Sequence, residues 1–290
     1  MMFRLLLPLL LLGAVPDYRM ADAAARLPAA EILSVHAPAV MRNVLPPSIT
    51  ASGAILMDAV SGEVLFSKHA STPRPMASLT KIMTALLILD SHSMNETVTV
   101  PEVAEAVGGS DMNLKKGQRF ILGDLLKAML LRSANDAAYT LAYHHSGGTT
   151  AFVRAMNQRS KSLKLSATRF ANPAGLDDPN QYASARDIAS LMLAALRNPT
   201  FQSIVSTRDA EITAYDGKQF SLHNTNEILH SRLNVFGVKT GTTSAAGECL
   251  AVLFTSGRRT YILVLLGSKD RYTDALRVMN AVSSRIASVP

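Results

Sequence analysis

Apolar and polar positions alternate with a period of two through Ala54-Ile55-Leu56-Met57-Asp58, pause at Ser61-Gly62, and resume at Val64-Leu65-Phe66, which predicts a β-hairpin. Near the other end, two apolar runs at 247–255 and 259–266 flank Ser256-Gly257-Arg258 and predict a second hairpin, with a strand-like segment before it from Val235. Between these ends the spacing changes to that of helices. It predicts one helix from Ser78 and others over 122–131, 136–145, 150–164 and 185–197, punctuated by Gly147-Gly148 and Pro199. A short strand at 98–100 and a small hairpin around Lys116-Gly117 interrupt them. Residues 273–287 place Ala275, Val278, Met279, Val282 and Ile286 on one stripe, with Arg277 and Arg285 elsewhere, as expected of a closing helix packed on its own sheet. The pattern as a whole predicts an α/β protein of the α+β kind. A mainly antiparallel sheet, built from about 48–68 and 235–290, is flanked by helices, and a helical subdomain of about 69–234 is inserted between its halves.

The chain of 290 residues carries 48% apolar residues, enough for a sizeable core. Residues 1–25 read as a secretory signal peptide: one early positive charge, Arg4, a leucine run too short to span a bilayer, and small residues at Ala21, Ala23 and Ala25; the alternative is an uncleaved N-terminal anchor, since Pro8 and the spacer from Pro16 to Asp22 are untypical. Residues 26–47 are rich in Ala and Pro without periodicity and read as a tether, leaving 48–290 as one domain. The formal net charge of +7 is spread without a dense Lys/Arg run or interleaved aromatics, which argues against a nucleic-acid groove. At most it draws the chain weakly to anionic polymer or membrane surfaces. Cys249 is the single cysteine, so no intrachain disulfide forms; in Cys249-Leu250-Ala251-Val252-Leu253-Phe254 it reads as a core thiol. The seven histidines are dispersed, and the neighbours His144 and His145 face different ways on a helix. No metal-ligand spacing stands out, so neither a metal nor a cofactor is expected.

The chemistry begins in Pro75-Met76-Ala77-Ser78-Leu79-Thr80-Lys81, where Ser78 and Lys81 lie one helical turn apart on one face. A serine at a helix start can act as a nucleophile while its own N–H, lacking an intrahelical partner, faces an oxyanion. Lys81 can serve as base only if burial or a second cation makes its neutral amine accessible. Taken alone, the pair reads more readily as an N-capping serine and a solvated lysine, since both residues are common and the spacing is short. Two further patterns follow: Ser133-Ala134-Asn135 between helical runs, and Lys239-Thr240-Gly241 at a strand start. A second Ser-x-Asn, Ser93-Met94-Asn95, falls in a polar turn too close to Lys81 to line the far wall of a cleft.

Ser-x-x-Lys, Ser-x-Asn and Lys-Thr-Gly in this order resemble the penicillin-binding protein and serine β-lactamase superfamily. The segments around Leu130–Ala138, Phe152–Asn157, Asn172–Asp178 and Ser184–Asp187 look like the low-molecular-mass D-alanyl-D-alanine carboxypeptidase family. The resemblance implies Ser78 as the acylated nucleophile, Lys81 as its proton acceptor, and Ser133 as the hydroxyl relaying a proton to the leaving amine. It implies that Asn135 holds Lys81 and the substrate amide. Lys239, with Thr240, would receive the terminal carboxylate and depress the Lys81 pKa by like-charge repulsion. The N–H groups of Ser78 and Thr242 would form the oxyanion hole, and Gly241 would let the strand approach the substrate. The implied substrate is a peptidoglycan stem peptide and the implied inhibitors are β-lactams, with no implied oligomeric state; the leader makes the chain exported, periplasmic or otherwise extracytoplasmic. Asp177 and Asp178, in the 172–184 loop, are read as turn residues. That loop has no glutamate to activate a deacylating water, and Glu211 and Glu227 lie downstream, so a β-lactamase is the weaker rival. A D,D-endopeptidase is the leading alternative, because the chain stops soon after this domain, without a β-rich second domain or C-terminal amphipathic anchor. A non-catalytic peptidoglycan-binding protein is disfavoured by the three intact motifs.

Overall fold

The computed structural model describes residues 48–231 and 234–286; the expected leader, the tether and the last residues of the closing helix lie outside them. Five strands, β1 (Gly53–Asp58), β2 (Val64–Lys68), β7 (Val235–Thr243), β8 (Gly247–Ser256) and β9 (Arg259–Ser268), form an antiparallel sheet in the order β2-β1-β9-β8-β7. The two chain ends therefore meet in one sheet, as the period-two segments predict, with β1 pairing β9 in the register Ile55↔Val264. The expected in-out alternation is not seen in β1, whose six residues are all buried. The reason is two-sided cover. Helix α8 (Arg271–Ile286) packs Ala275, Val278 and Val282 against Leu250, Val252, Leu263 and Leu265 on one face, and α6 (Ala185–Ala195) lies against β1 and β9. Each fully buried Leu, Ile or Val contributes on the order of 1.5–3 kcal/mol.

The inserted block begins with a 3-10 turn, Ala77–Thr80, that runs into α1 (Lys81–Ser91). Helix α1 is buried from Lys81 to Ile88, so it is a central helix packed on all sides rather than an amphipathic surface one. Around it stand α3 (Leu122–Leu131), α4 (Asn135–Ser146) and α5 (Thr149–Ser162), whose bounds agree with the periodic runs to within two residues. The expected hairpin around Lys116-Gly117 is different in kind. Strand β3 (Thr97–Thr99) does pair with β4 (Arg119–Ile121), but a short α2 (Glu102–Glu105) and a loop separate them, and Gly117 only turns the chain into β4. Pro199 does more than end a helix. With the Asn198 side chain accepting from the N–H groups of Thr200 and Phe201, it opens α7 (Pro199–Val205). A hairpin absent from the sequence reading, β5 (Asp209–Thr213) and β6 (Gln219–His223), turns at Asp216-Gly217, with Gly217 at φ +85°.

The start of the domain is stitched to its last helix by a buried carboxylate. Asp274 accepts from the N–H groups of Thr50 and Ala51, both at 2.8 Å, and from the Ser268 hydroxyl at 2.6 Å. Burial alone raises a carboxyl pKa, but these hydrogen bonds, with that of the Thr50 hydroxyl, bring Asp274 below its ordinary value.

Candidate active site

Ser78 sits in the 3-10 turn after Ala77, whose φ of +48° bends the chain sharply before the helix starts. Lys81, at the first position of α1, is fully buried. Its Nζ has three partners: Ser78 Oγ at 3.0 Å, Asn135 Oδ1 at 2.8 Å and the Ala174 carbonyl at 2.6 Å. The last two are acceptors only. A neutral amine that gives its two N–H bonds to them is left with its lone pair towards the Ser78 hydroxyl, the arrangement a base requires. Burial holds the Lys81 pKa well below the ordinary lysine range; the Lys239 charge adds to the shift and Asp136 opposes it. The like-charge effect expected from Lys239 is present, but desolvation is the larger cause.

The second wall comes from the break between α3 and α4. Ser133 occupies it with φ +63°, a left-handed backbone that few non-glycine residues adopt, and is buried there. Asn135 opens α4, donating its backbone N–H to the Ser110 carbonyl at 2.6 Å and Nδ2 to the Gly108 carbonyl at 2.9 Å. The bond to Gly108 fixes which amide atom faces Lys81. Asp136 in turn accepts from the N–H groups of Met112 and Leu114, at 2.9 and 3.1 Å, and shapes that loop from beneath. A side chain at Gly109 would place its Cβ 2.8 Å from Asn135 Nδ2. Residues 108–114 are thus part of the wall, which their plain Gly-Gly-Ser-Asp sequence did not signal.

Strand β7, at the sheet edge, supplies the third wall. Lys239 is 1% exposed, and its Nζ donates to the Thr240 carbonyl at 2.9 Å. Burial, and then the Arg271 charge, lower its pKa to about 7. The Thr240 and Thr225 hydroxyls share a hydrogen bond of 2.7 Å. Gly241 has a more local role than the sequence suggested: a Cβ there would lie 2.8 Å from the Ser78 backbone N and 2.9 Å from Ala77 Cβ. Its bare Cα is what lets β7 lie beside the Ser78 turn. The neighbouring Thr242 hydroxyl accepts from Arg271 Nη2, and Arg271 Nη1 donates to the Gly241 carbonyl at 2.9 Å. Arg271 also meets Glu248 Oε2 through Nε at 3.1 Å. Sequence reasoning missed this arginine, since a lone Arg at the start of the last helix reads as surface charge.

The 172–184 loop closes the floor. Asn172 Oδ1 accepts from three successive N–H groups, Ala174, Gly175 and Leu176, and so aims the Ala174 carbonyl at Lys81. Gly175, at φ +93°, touches the Ser78 turn so closely that a Cβ would fall 2.0 Å from the Ala77 carbonyl oxygen. Asp178 is the turn residue expected, accepting from the Asn180 N–H at 2.7 Å, whereas Asp177 instead reaches across to the Ala245 N–H at 3.1 Å. A cavity of about 420 Å³ beside the turn is lined by Met76, Ala77, Gly175, Leu176 and Tyr182 among others. Cys249 is buried and takes no part; burial pushes its thiol up to about 11.

A family model described as D-alanyl-D-alanine carboxypeptidase matches residues 40–270. The chain belongs to the D-alanyl-D-alanine carboxypeptidase family. Among its relatives, a D-alanyl-D-alanine carboxypeptidase of Bacillus subtilis is 32% identical over 83% of the chain, which spans 64% of that relative's length. A D-alanyl-D-alanine endopeptidase of Escherichia coli is 31% identical over 84% of the chain and 81% of its own length. The solved structure of the Streptomyces K15 DD-transpeptidase superposes with a TM-score of 0.76 at 31% identity, covering 81% of this chain and 98% of that one. The D-alanyl-D-alanine carboxypeptidase family thus accounts for the architecture expected from the sequence. In this family member Ser78, three positions away, and Asn135, 54 positions away, both reach the buried Lys81.

Proposed function

We propose that the protein is an exported serine-type D-alanyl-D-alanine carboxypeptidase acting on peptidoglycan stem peptides. The observation that carries this is Lys81 Nζ, buried, 3.0 Å from Ser78 Oγ and with its remaining hydrogen-bonding directions taken by two carbonyl oxygens. In the proposed reaction Ser78 Oγ attacks the carbonyl of the penultimate D-alanine and its proton passes to Lys81. The N–H groups of Ser78 and Thr242 hold the oxyanion. Ser133 carries a proton to the departing amine, D-alanine leaves, and water hydrolyses the acyl-enzyme. Lys239 and Thr240 receive the terminal carboxylate, with Arg271 tying the Gly241 carbonyl and the Thr242 hydroxyl in place behind them. Because a β-lactam presents an amide and a carboxylate to the same groups, it acylates Ser78 and stays. The leader of residues 1–25 is proposed to send the chain to the periplasm. Among the described residues no helix is long and apolar enough to cross a membrane.

Fluorescent penicillin is expected to label the protein covalently, with the mass shift on Ser78 and no label on Ser78→Ala. Digestion of purified sacculi, followed by separation of muropeptides, then distinguishes the reactions. Loss of pentapeptides with dimers intact supports the carboxypeptidase. A fall in dimers with pentapeptides unchanged replaces it by the endopeptidase that the Escherichia coli relative is named for.

A further inference from the structure

Far from Ser78, three elements bring together ligand-type side chains that lie up to 52 positions apart in the sequence, which is why spacing gave no metal signal. His92 follows the last residue of α1, Glu96 precedes β3, and His144 is in the final turn of α4. Glu96 Oε2 lies 2.8 Å from His92 Nδ1 and 2.9 Å from His144 Nε2. The three donor atoms all fall within 4.8 Å of one another, and all three residues are half-buried. The other carboxylate oxygen, Oε1, accepts the Ser93 N–H at 2.6 Å, which aims Oε2 between the two rings. Behind His92, its Nε2 is 3.0 Å from His145 Nδ1. His145 packs edge-on against Phe152, with ring centroids 5.3 Å apart. The neighbours His144 and His145 thus flank His92 on two sides.

We propose that His92, Glu96 and His144 form a binding site for a divalent transition-metal ion of the zinc class, with His145 orienting His92 from behind. Two imidazoles and one carboxylate are a donor set suited to zinc. Zinc–nitrogen bonds of about 2.0–2.1 Å in a tetrahedron separate the donor atoms by roughly 3.3 Å, so the two spacings from Glu96 Oε2 to the rings need to open by about half an ångström, and the two ring nitrogens already lie within 4.8 Å of each other. With Nδ1 of His92 on the metal, its proton sits on Nε2 and is donated to His145 Nδ1, which fills with an imidazole the outer place that a carboxylate, carbonyl or water holds at most metal-bound histidines. The fourth position faces solvent and takes water.

The position of this site gives it a structural consequence. Helix α1 starts at Lys81 and α4 at Asn135, and these two side chains meet at 2.8 Å. The metal site fastens the opposite ends of the same two helices, roughly 16 Å away along α1. The ion is therefore a clamp on the helix pair that carries the base and its partner, and it takes no part in acylation.

The test uses the full chain stripped with EDTA and titrated with Co²⁺ and Zn²⁺. One equivalent of Co²⁺ is expected to give the intense visible bands of a four-coordinate site, displaced by Zn²⁺, with a rise in Tm on Zn²⁺ binding. His144→Ala and Glu96→Gln should each abolish the bands and the Tm response. His145→Ala should weaken binding by about 10–100-fold without abolishing it. His223→Ala, in the separate group of exposed Asp209 and His223 with half-buried His230, should change nothing. Far-UV circular dichroism shows whether each variant is folded. On the unmutated protein, X-ray absorption at the zinc edge should report two imidazoles. Absence of stoichiometric binding, binding that survives both His144→Ala and Glu96→Gln, or loss through His223→Ala overturns the proposal. None of these readouts depends on the peptidase reaction.

Discussion

Lys81 and Lys239 are both buried, yet burial has a different use at each. In the proposed reaction Lys81 must be neutral to accept the Ser78 proton, so activity is expected to rise as pH climbs through its lowered pKa. Lys239 must be charged to receive a carboxylate, so activity falls as pH rises through about 7, where its charge is lost in the free enzyme. The expected kcat/KM profile for a stem pentapeptide is therefore a bell whose alkaline limb belongs to Lys239. Lys239→Arg retains partial activity and keeps its charge throughout, so that limb should disappear; an unchanged alkaline limb in this variant means another group titrates there. Lys81→Ala should abolish acylation, and a full labelling rate in it would show the wrong base has been assigned. Gly241→Ala places a methyl group 2.8 Å from the Ser78 N–H. Loss of one oxyanion donor costs about 10²–10³-fold in acylation rate, so that fall is expected in stopped-flow penicillin binding, with penicillin-independent stability measured beside it.

At the scale of elements, what holds the site is the joining of pieces distant in sequence. Asp274, at the start of α8, receives three hydrogen bonds from Thr50 and Ala51 and one from Ser268. Its pKa in the folded protein is lowered, so its contribution to stability is present at neutral pH and is lost as pH falls through that folded value. Asp274→Asn turns one acceptor into a donor facing N–H groups and should cost about 2 kcal/mol. For a domain of this size that is a fall in Tm of roughly 4–8 °C at neutral pH, shrinking towards acid. A Tm within a degree of the unmutated protein would show that water replaces the carboxylate there. The same dependence on distant partners explains two elements the sequence reading left out. The β5–β6 hairpin carried a legible Asp216-Gly217 turn but mixed polar strands, and α7 hid behind a proline that begins a helix as readily as it follows one.

For the whole molecule, a formal net charge of +7 favours association with an anionic wall. Ser78→Ala, which binds without turnover, should be retained on isolated sacculi at low salt and be released as salt rises; retention indifferent to salt would assign the attachment to the substrate cleft alone. The sequence by itself determined the sheet built from both ends of the domain, the helical insert and the closing helix, and it put forward Ser78, Lys81, Ser133, Asn135 and Lys239 as the candidate site. These are legible because periodicity is local and because each motif keeps its reacting groups within a turn of helix or strand. Only the tertiary structure decided the rest. It placed the Ala174 carbonyl on Lys81, brought Arg271 behind β7, and set the bare Cα atoms of Gly175 and Gly241 against the Ser78 turn. It also gathered His92, Glu96 and His144 at the far ends of α1 and α4. The physical reason is common to all four: a backbone carbonyl, a close approach or a side-chain cluster is made by segments that meet in space, and single-sequence patterns record what each segment buries but not which segment it meets.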